Sequence, residues 1–320
     1  MTHLRRKRLG TRHLASVLCA AGIAVALAAP ASAGAKRTHF TGTEHQTVGS
    51  YGTWISDGSK LYISGATLFA TRDATDPRVS GQETLTIAAI WDAATWTGPM
   101  WGTFHLENGD GAWDGYWHGE RTLSGQDVHS WIVATMVGSG AYEGLIARST
   151  HTGVNVDQTA LLHFTGYIVE AKGGPGERPF HVRATRTERL GLHPGLVVMP
   201  PTYEPAMAMT FDIVEEFGEA THLGRVQNAG TGMLLPNGGI SGFGSVTAAN
   251  GAVLHWIVEG TVDPATGIAS ILLHFAGGTG AFEAAVGTLE GAVSAEWVPT
   301  DDPLVLESHF SYSAAGSIRY

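Results

Sequence analysis

The stretch Ala276–Gly287, "AGGTGAFEAAVG", stands between two alternating apolar segments, Ser270–Phe275 "SILLHF" and Thr288–Val298 "TLEGAVSAEWV". So many glycines invite the question of a phosphate cradle. A phosphate loop needs a strand, the glycines, a Lys-Ser/Thr pair and then a helix. Here there is no lysine, and the segment after Gly287 alternates like a strand. The glycines are therefore read as a tight connection between strands. Val137–Ala147, "VGSGAYEGLIA", carries the same phrase, with Ser139–Glu143 matching Thr279–Glu283 at an offset of 140 residues. A second pair, Gly102–Gly109 "GTFHLENG" and Gly244–Gly251 "GSVTAANG", matches at an offset of 142. Two anchors with nearly one offset mark a duplicated domain. Each copy is about 130 residues, too long for a propeller blade or a solenoid unit.

Period-2 alternation runs through the chain, as in Glu83–Ile90, Trp101–Leu106, Trp113–Thr122, Val128–Val137, Thr159–Val169, Ala206–Val214, Ala252–Val262 and Ile268–Ala276. Such alternation is the signature of half-buried strands. Turn-forming runs separate the strands: "ENGDG" at 107–111, "LSGQD" at 123–127, "PNGG" at 236–239, "AANG" at 248–251 and "DPATG" at 263–267. No amphipathic helix pattern of useful length occurs. The chain reads as all-β: two tandem eight-stranded antiparallel, calycin-like barrels, one over 34–172 and one over 180–320, joined by a Gly/Pro-rich linker at 173–179.

Residues 1–33 read as a secretory signal peptide, with Arg5, Arg6, Lys7, Arg8 and Arg12, an apolar run from Leu14 to Ala29, and the small residues Ala31 and Ala33. The run is too short to span a bilayer. The expectation is a secreted, extracellular protein beginning near Gly34. Losing five basic residues takes the net charge from −10 to −15. A protein this acidic is a poor partner for nucleic acid or an anionic membrane, and no membrane insertion is expected after cleavage. The single cysteine, Cys19, leaves with the signal, so the exported chain is disulfide-free.

Gly277–Gly287, read as Gly-Gly-Thr-Gly-x-Phe-x-x-Ala-x-Gly, resembles the hairpin of the allene oxide cyclase and dirigent-like barrels, and Gly218–Arg225 "GEATHLGR" resembles the opening of their bacterial secreted members. The second copy carries more of the resemblance than the first. It implies an eight-stranded barrel with an apolar cavity, and an activity that cyclises a fatty-acid epoxide or steers phenoxy-radical coupling. Family catalytic residues find no one-to-one positions here.

Six of the nine tryptophans, Trp91, Trp96, Trp101, Trp113, Trp117 and Trp131, fall within 41 residues. Trp113 and Trp117 share a strand face. Trp101, Trp113, Trp117 and Trp131, with Trp256 in the second copy, are the candidate contacts for a flat or apolar ligand; the competing reading is a packed barrel core. His255 and Glu259 share one strand face and are candidate acid–base residues, although Leu254, Trp256 and Val258 make the better core face. His118 and Glu120 read as a solvated face. His163 and His274, each before Phe in "LLHF", read as exposed alternation. Gly138, Gly140 and Tyr142, with Gly277, Gly278, Gly280 and Phe282, form the repeated structural motif, its aromatic plugging a core. No hydrolase or metal-site motif occurs, so neither a metal nor a cofactor is expected. Three functions stay open: binding a small apolar or aromatic ligand in a barrel cavity, cofactor-free isomerase or cyclase chemistry there, or a non-catalytic surface or structural module.

Overall fold

The structure is a computed structural model and describes residues 36–56, 58–125, 127–156, 159–170, 178–198, 205–235, 237–263, 265–302 and 305–319. Residues 1–33, read above as a signal peptide, and most of the expected linker at 173–179 lie outside the described residues. Seventeen strands carry almost all of the rest: β1 Thr38–Ser50, β2 Thr53–Ser56, β3 Lys60–Ala74, β4 Gly81–Asp92, β5 Gly98–Glu107, β6 Gly111–Ser124, β7 Asp127–Gly140, β8 Leu145–Val156, β9 Thr159–Glu170, β10 Arg178–Val198, β11 Pro205–Ala220, β12 Gly224–Leu234, β13 Gly239–Ala248, β14 Val253–Val262, β15 Ala269–Gly278, β16 Val286–Pro299 and β17 Val305–Arg319.

Two closed antiparallel barrels result. In the first, β3 to β9 pair in order and β1 closes the ring by pairing with both β9 and β3. In the second, β10 to β17 pair in order and β10 closes on β17. Closure removes the unpaired edges that an open sheet would expose. The inward phase of each alternation is apolar. Phe40, Leu85, Leu106, Trp113, Trp117, Met136 and Phe164 fill the first barrel, and Phe180, Phe211, Leu254, Trp256, Phe275, Leu289 and Ile318 fill the second.

The repeated glycine phrase forms the same turn twice. Tyr142 and Glu143 donate backbone bonds to Ser139 and Gly140, as Phe282 and Glu283 do to Thr279 and Gly280. Gly140 and Gly280 occupy left-handed backbone at φ 66° and 60°, where a side chain is strained. Tyr142 and Phe282 are buried in their barrels. At that end of the first barrel a short 3-10 turn, Pro77–Val79, buries Val79, and Tyr142 donates its hydroxyl to Asn108 Oδ1 at 2.7 Å.

The barrels pack on each other through Ile55, Tyr62, Ala88 and Trp101 of the first and Met233, Ile257 and Ala276 of the second. The short strand β2 pairs with β3 and also with Val197 and Val198 of β10, so hydrogen bonding continues from one barrel to the other. Arg148 reaches across to donate to the carbonyls of Gly278 and Glu283.

Candidate functional site: the interior of the first barrel

On β1 the inward residues are Phe40, Gly42, Glu44 and Gln46, so a carboxylate occupies a core position. Arg72 stands opposite Glu44 on β3, Glu83 points inward from β4, and Ser149 and His151 do so from β8. The side chains of Glu44, Arg72, Glu83 and His151 are all at most 4% exposed. His151 Nδ1 lies 3.0 Å from Glu44 Oε2, and its Nε2 lies 2.8 Å from Ser149 Oγ. Gln46 donates to Glu44 Oε1. Arg72 Nε lies 3.6 Å from Glu83 Oε2, and its guanidinium sits 4.3 Å over the Phe164 ring.

The two carboxyls are driven in opposite directions. Burial raises Glu44, but His151 and Arg72, helped by the Gln46 hydrogen bond, outweigh it and hold the group at about 2. Burial and the neighbouring Glu44 charge push Glu83 up to about 8, with Arg72 only partly opposing. Burial also lowers His151. At neutral pH the interior thus holds an ionised Glu44 facing the Arg72 cation, a protonated Glu83 and a neutral His151. Charge is balanced, but hydrogen bonding is not. Arg72 Nε, Nη1 and Nη2 and Glu83 Oε2 have no hydrogen-bond partner among the described residues. A cavity of about 10 Å³, room for the centre of one water, lies among Glu44, Gln46, Glu83, His151 and Trp117. Ser149 is not among its walls, which makes it an orienting partner of His151 rather than a nucleophile facing the cavity.

The second barrel is an internal control. Phe40 faces Gly166 as Phe180 faces Gly316. Carried around both barrels, these registers set Glu44 against Ala184, Arg72 against Gly218, Glu83 against Asn228, His151 against Gly291 and Phe164 against Ala314. The same scaffold closes with none of the charges; Asn228 instead accepts from Trp256 Nε1 at 2.8 Å. Desolvating ions costs several kcal/mol each even when they are paired. Barrel closure does not require that cost, so the cluster calls for another explanation.

No protein-family model, curated protein or solved structure matches this chain. The likeness to allene oxide cyclase and dirigent-like barrels therefore rests on the quoted motif alone.

The tryptophans do not line one pocket. Trp117 borders the cavity and donates to the Thr103 carbonyl at 3.2 Å. Trp113 fills the end of the barrel, stacked on Tyr142 at 5.3 Å, with Nε1 bonded to the Arg78 carbonyl. Trp101 points the other way, stacks on Phe243 at 5.1 Å and donates to Ser241 Oγ. Trp131 is 47% exposed on the outer surface, and Trp256 is core in the second barrel. His255 and Glu259 do not meet in a barrel interior. His255 is half-buried between the barrels, its ring 4.6 Å from that of His118, while Glu259 is exposed.

Two readings are corrected. His118 is 8% exposed rather than solvated, although Glu120 is indeed exposed. His274 is buried too, stacked at 4.2 Å on Tyr116; His163 is exposed. The cause is the same for both: the outward face of one barrel is covered by the other, which strand alternation within a single copy does not register. The charged interior was missed as well. Its trace in the sequence is a charge on the apolar phase: Glu44 in step with Phe40, and Glu83 in step with Leu85.

Proposed function

We propose that the first barrel is the working one and that its interior carries out cofactor-free acid–base chemistry on a small molecule. The observation that carries this is the opposite perturbation of Glu44 and Glu83 around one cavity, in a barrel whose duplicate lacks both. Carboxyls whose environments drive them apart supply an acid and a base at one pH. Glu83 gives a proton, the Glu44–His151 pair takes one, and return of the proton across the cavity resets the site. The substrate is isomerised without oxidant or metal. Leu85, Phe104, Ile132, Ala134 and Trp117 line the apolar side of the cavity, which at about 10 Å³ admits the body of a substrate only once these side chains move aside. The second barrel is a scaffold. We also take residues 1–33 as an export signal; the secreted chain then has an intact mass that begins near Gly34, and a mass retaining residues 1–33 overturns that part.

Two measurements test the site. The infrared C=O band of a protonated carboxyl is present at pH 7 and absent in Glu83→Gln. Tryptophan fluorescence responds to a panel of unsaturated fatty acids, their epoxides and flat phenols, with the response lost in Trp117→Phe. A second reading, a closed pair of barrels acting only as a surface module, draws on the small size of the cavity. It wins if the whole panel is silent and the infrared band survives Glu83→Gln.

A further inference from the structure

The first barrel carries a second aromatic group that the interior does not use. It lies at the end opposite Val79. The turn between β4 and β5 is built by Asp92, whose Oδ1 accepts from the backbone of Ala94 and Thr95 and from the Thr95 hydroxyl at 2.9–3.1 Å. The Trp96 amide donates to the Asp92 carbonyl, and the Asp92 amide donates to the Thr97 carbonyl. This wiring holds Trp96 at φ 59°, left-handed backbone that a bulky side chain strongly disfavours. Trp96 is also 45% exposed. A glycine or asparagine suits such a turn better, so neither the local backbone nor burial explains a tryptophan there. Strain of this kind collects at functional positions.

Trp96 does not stand alone. Its ring lies 5.7 Å from that of Trp54 and 6.4 Å from that of Trp91. Tyr51, 53% exposed, meets Trp54 edge to face at 6.4 Å and 71°. Beside this row runs a groove of about 510 Å³ lined by Lys60, Asp92, Thr95, Thr97, Glu120 and Arg121. Arg121 links the two features, its guanidinium 4.0 Å over the Trp91 ring. The groove carries two cations, two carboxylates and, with Thr122, three hydroxyls.

We propose that the exposed rings of Trp96 and Tyr51, set at steep angles about the half-buried Trp54, each offer a stacking face to a neutral oligosaccharide, whose hydroxyls reach the adjoining groove. Exposed aromatic faces give large contact area at little cost in side-chain entropy. Balanced polar groups suit hydroxyls, which both donate and accept. An anionic sugar would meet Asp92, Glu120 and the acidic surface, and a flat phenol would leave the polar groove unused. This inference does not depend on the acid–base reading.

The test uses the full secreted chain with cellohexaose and chitohexaose as neutral probes and a galacturonate hexamer as the charged one, followed by calorimetry and by the indole N–H signals in NMR. A neutral hexasaccharide is expected to bind and to move the Trp96 signal. Trp96→Gly should weaken it tenfold or more, about 1.4 kcal/mol, while the thermal midpoint stays within about 2 °C of wild type. Glu83→Gln should bind the probe like wild type, which keeps this site apart from the interior. Silence of both neutral probes at about 10 mM, well above a millimolar Kd, overturns the proposal. So does a response only to the galacturonate hexamer or to phenols, or a fall of more than about 5 °C in Trp96→Gly, which makes Trp96 a structural residue.

Discussion

Acid should loosen the barrel pair through His118, and the size of the effect follows from its surroundings. His118 is buried where the barrels meet, flanked by His255, the Phe243 ring and the edge of Trp131. Burial, with His255 and Arg148 nearby, lowers it to about 3. In the unfolded chain a histidine titrates near 6.5. Between these values the unfolded state binds a proton that the folded state refuses, so stability is full above about pH 6.5 and falls as the pH drops toward 3. From pH 7.5 to pH 5 the linkage relation gives a loss of about 2 kcal/mol for this residue, insensitive to the folded value so long as it stays at 4 or below. His255 and His274, lowered to about 4, act in the same sense; His255 is half-buried, so solvent screening reduces its share. Glu83 acts in the opposite sense, since its raised value favours the folded state below about pH 8. A comparison of two proteins therefore isolates His118. His118→Phe keeps a ring against Phe243 and removes the titration. In urea titrations at pH 7.5 and pH 5, wild type should lose about 2 kcal/mol more than the variant between the two conditions. Equal losses would refute the argument, because His118 would then be free to take its proton in the folded state.

Other outcomes follow from the same geometry. Arg72→Met leaves Glu44 buried without its cation and should cost about 3–5 kcal/mol, whereas Arg72→Met with Glu44→Gln should recover most of the loss, as the uncharged second barrel implies; urea titrations of the single and double variants decide it, and a double variant no better than the single one contradicts the account. Gly280→Val has open space for its side chain but must hold φ 60°, so it should destabilise the protein by about 1–2 kcal/mol from backbone strain alone, with a thermal midpoint unchanged from wild type counting against it. A fragment of residues 178–320 should fold as a β protein by circular dichroism, because β10 closes on β17 within it; an unfolded fragment would show that the second barrel depends on the first.

Much of the fold was legible because it rests on local rules. Alternation located the strands, Asn-Gly and Asp-Pro runs located the turns, and the repeated Ser139–Glu143 and Thr279–Glu283 phrases revealed the duplication and its left-handed glycines. The opposite face of each strand was a different matter. His118 and His274 occupy the polar phase, and only the docking of one barrel on the other turns that phase into an interior. Trp101 belongs to the same class, since adjacency to Trp113 and Trp117 in the chain says nothing of which side of the sheet it takes once β5 pairs with β6. The interior cluster was half legible. Glu44 and Glu83 break the apolar phase of their strands, which a residue-by-residue check of alternation exposes. That Glu44 meets Arg72, 28 positions on, and His151, 107 positions on, depends on closure of β1 on both β3 and β9. Period and turn chemistry act over a few residues, so residue order alone specifies two antiparallel barrels and the turns that permit them. Which charges share one buried interior, and which histidines lose their water, follows only from the packed fold, because burial is a property of what is packed against a surface and not of the strand that carries it.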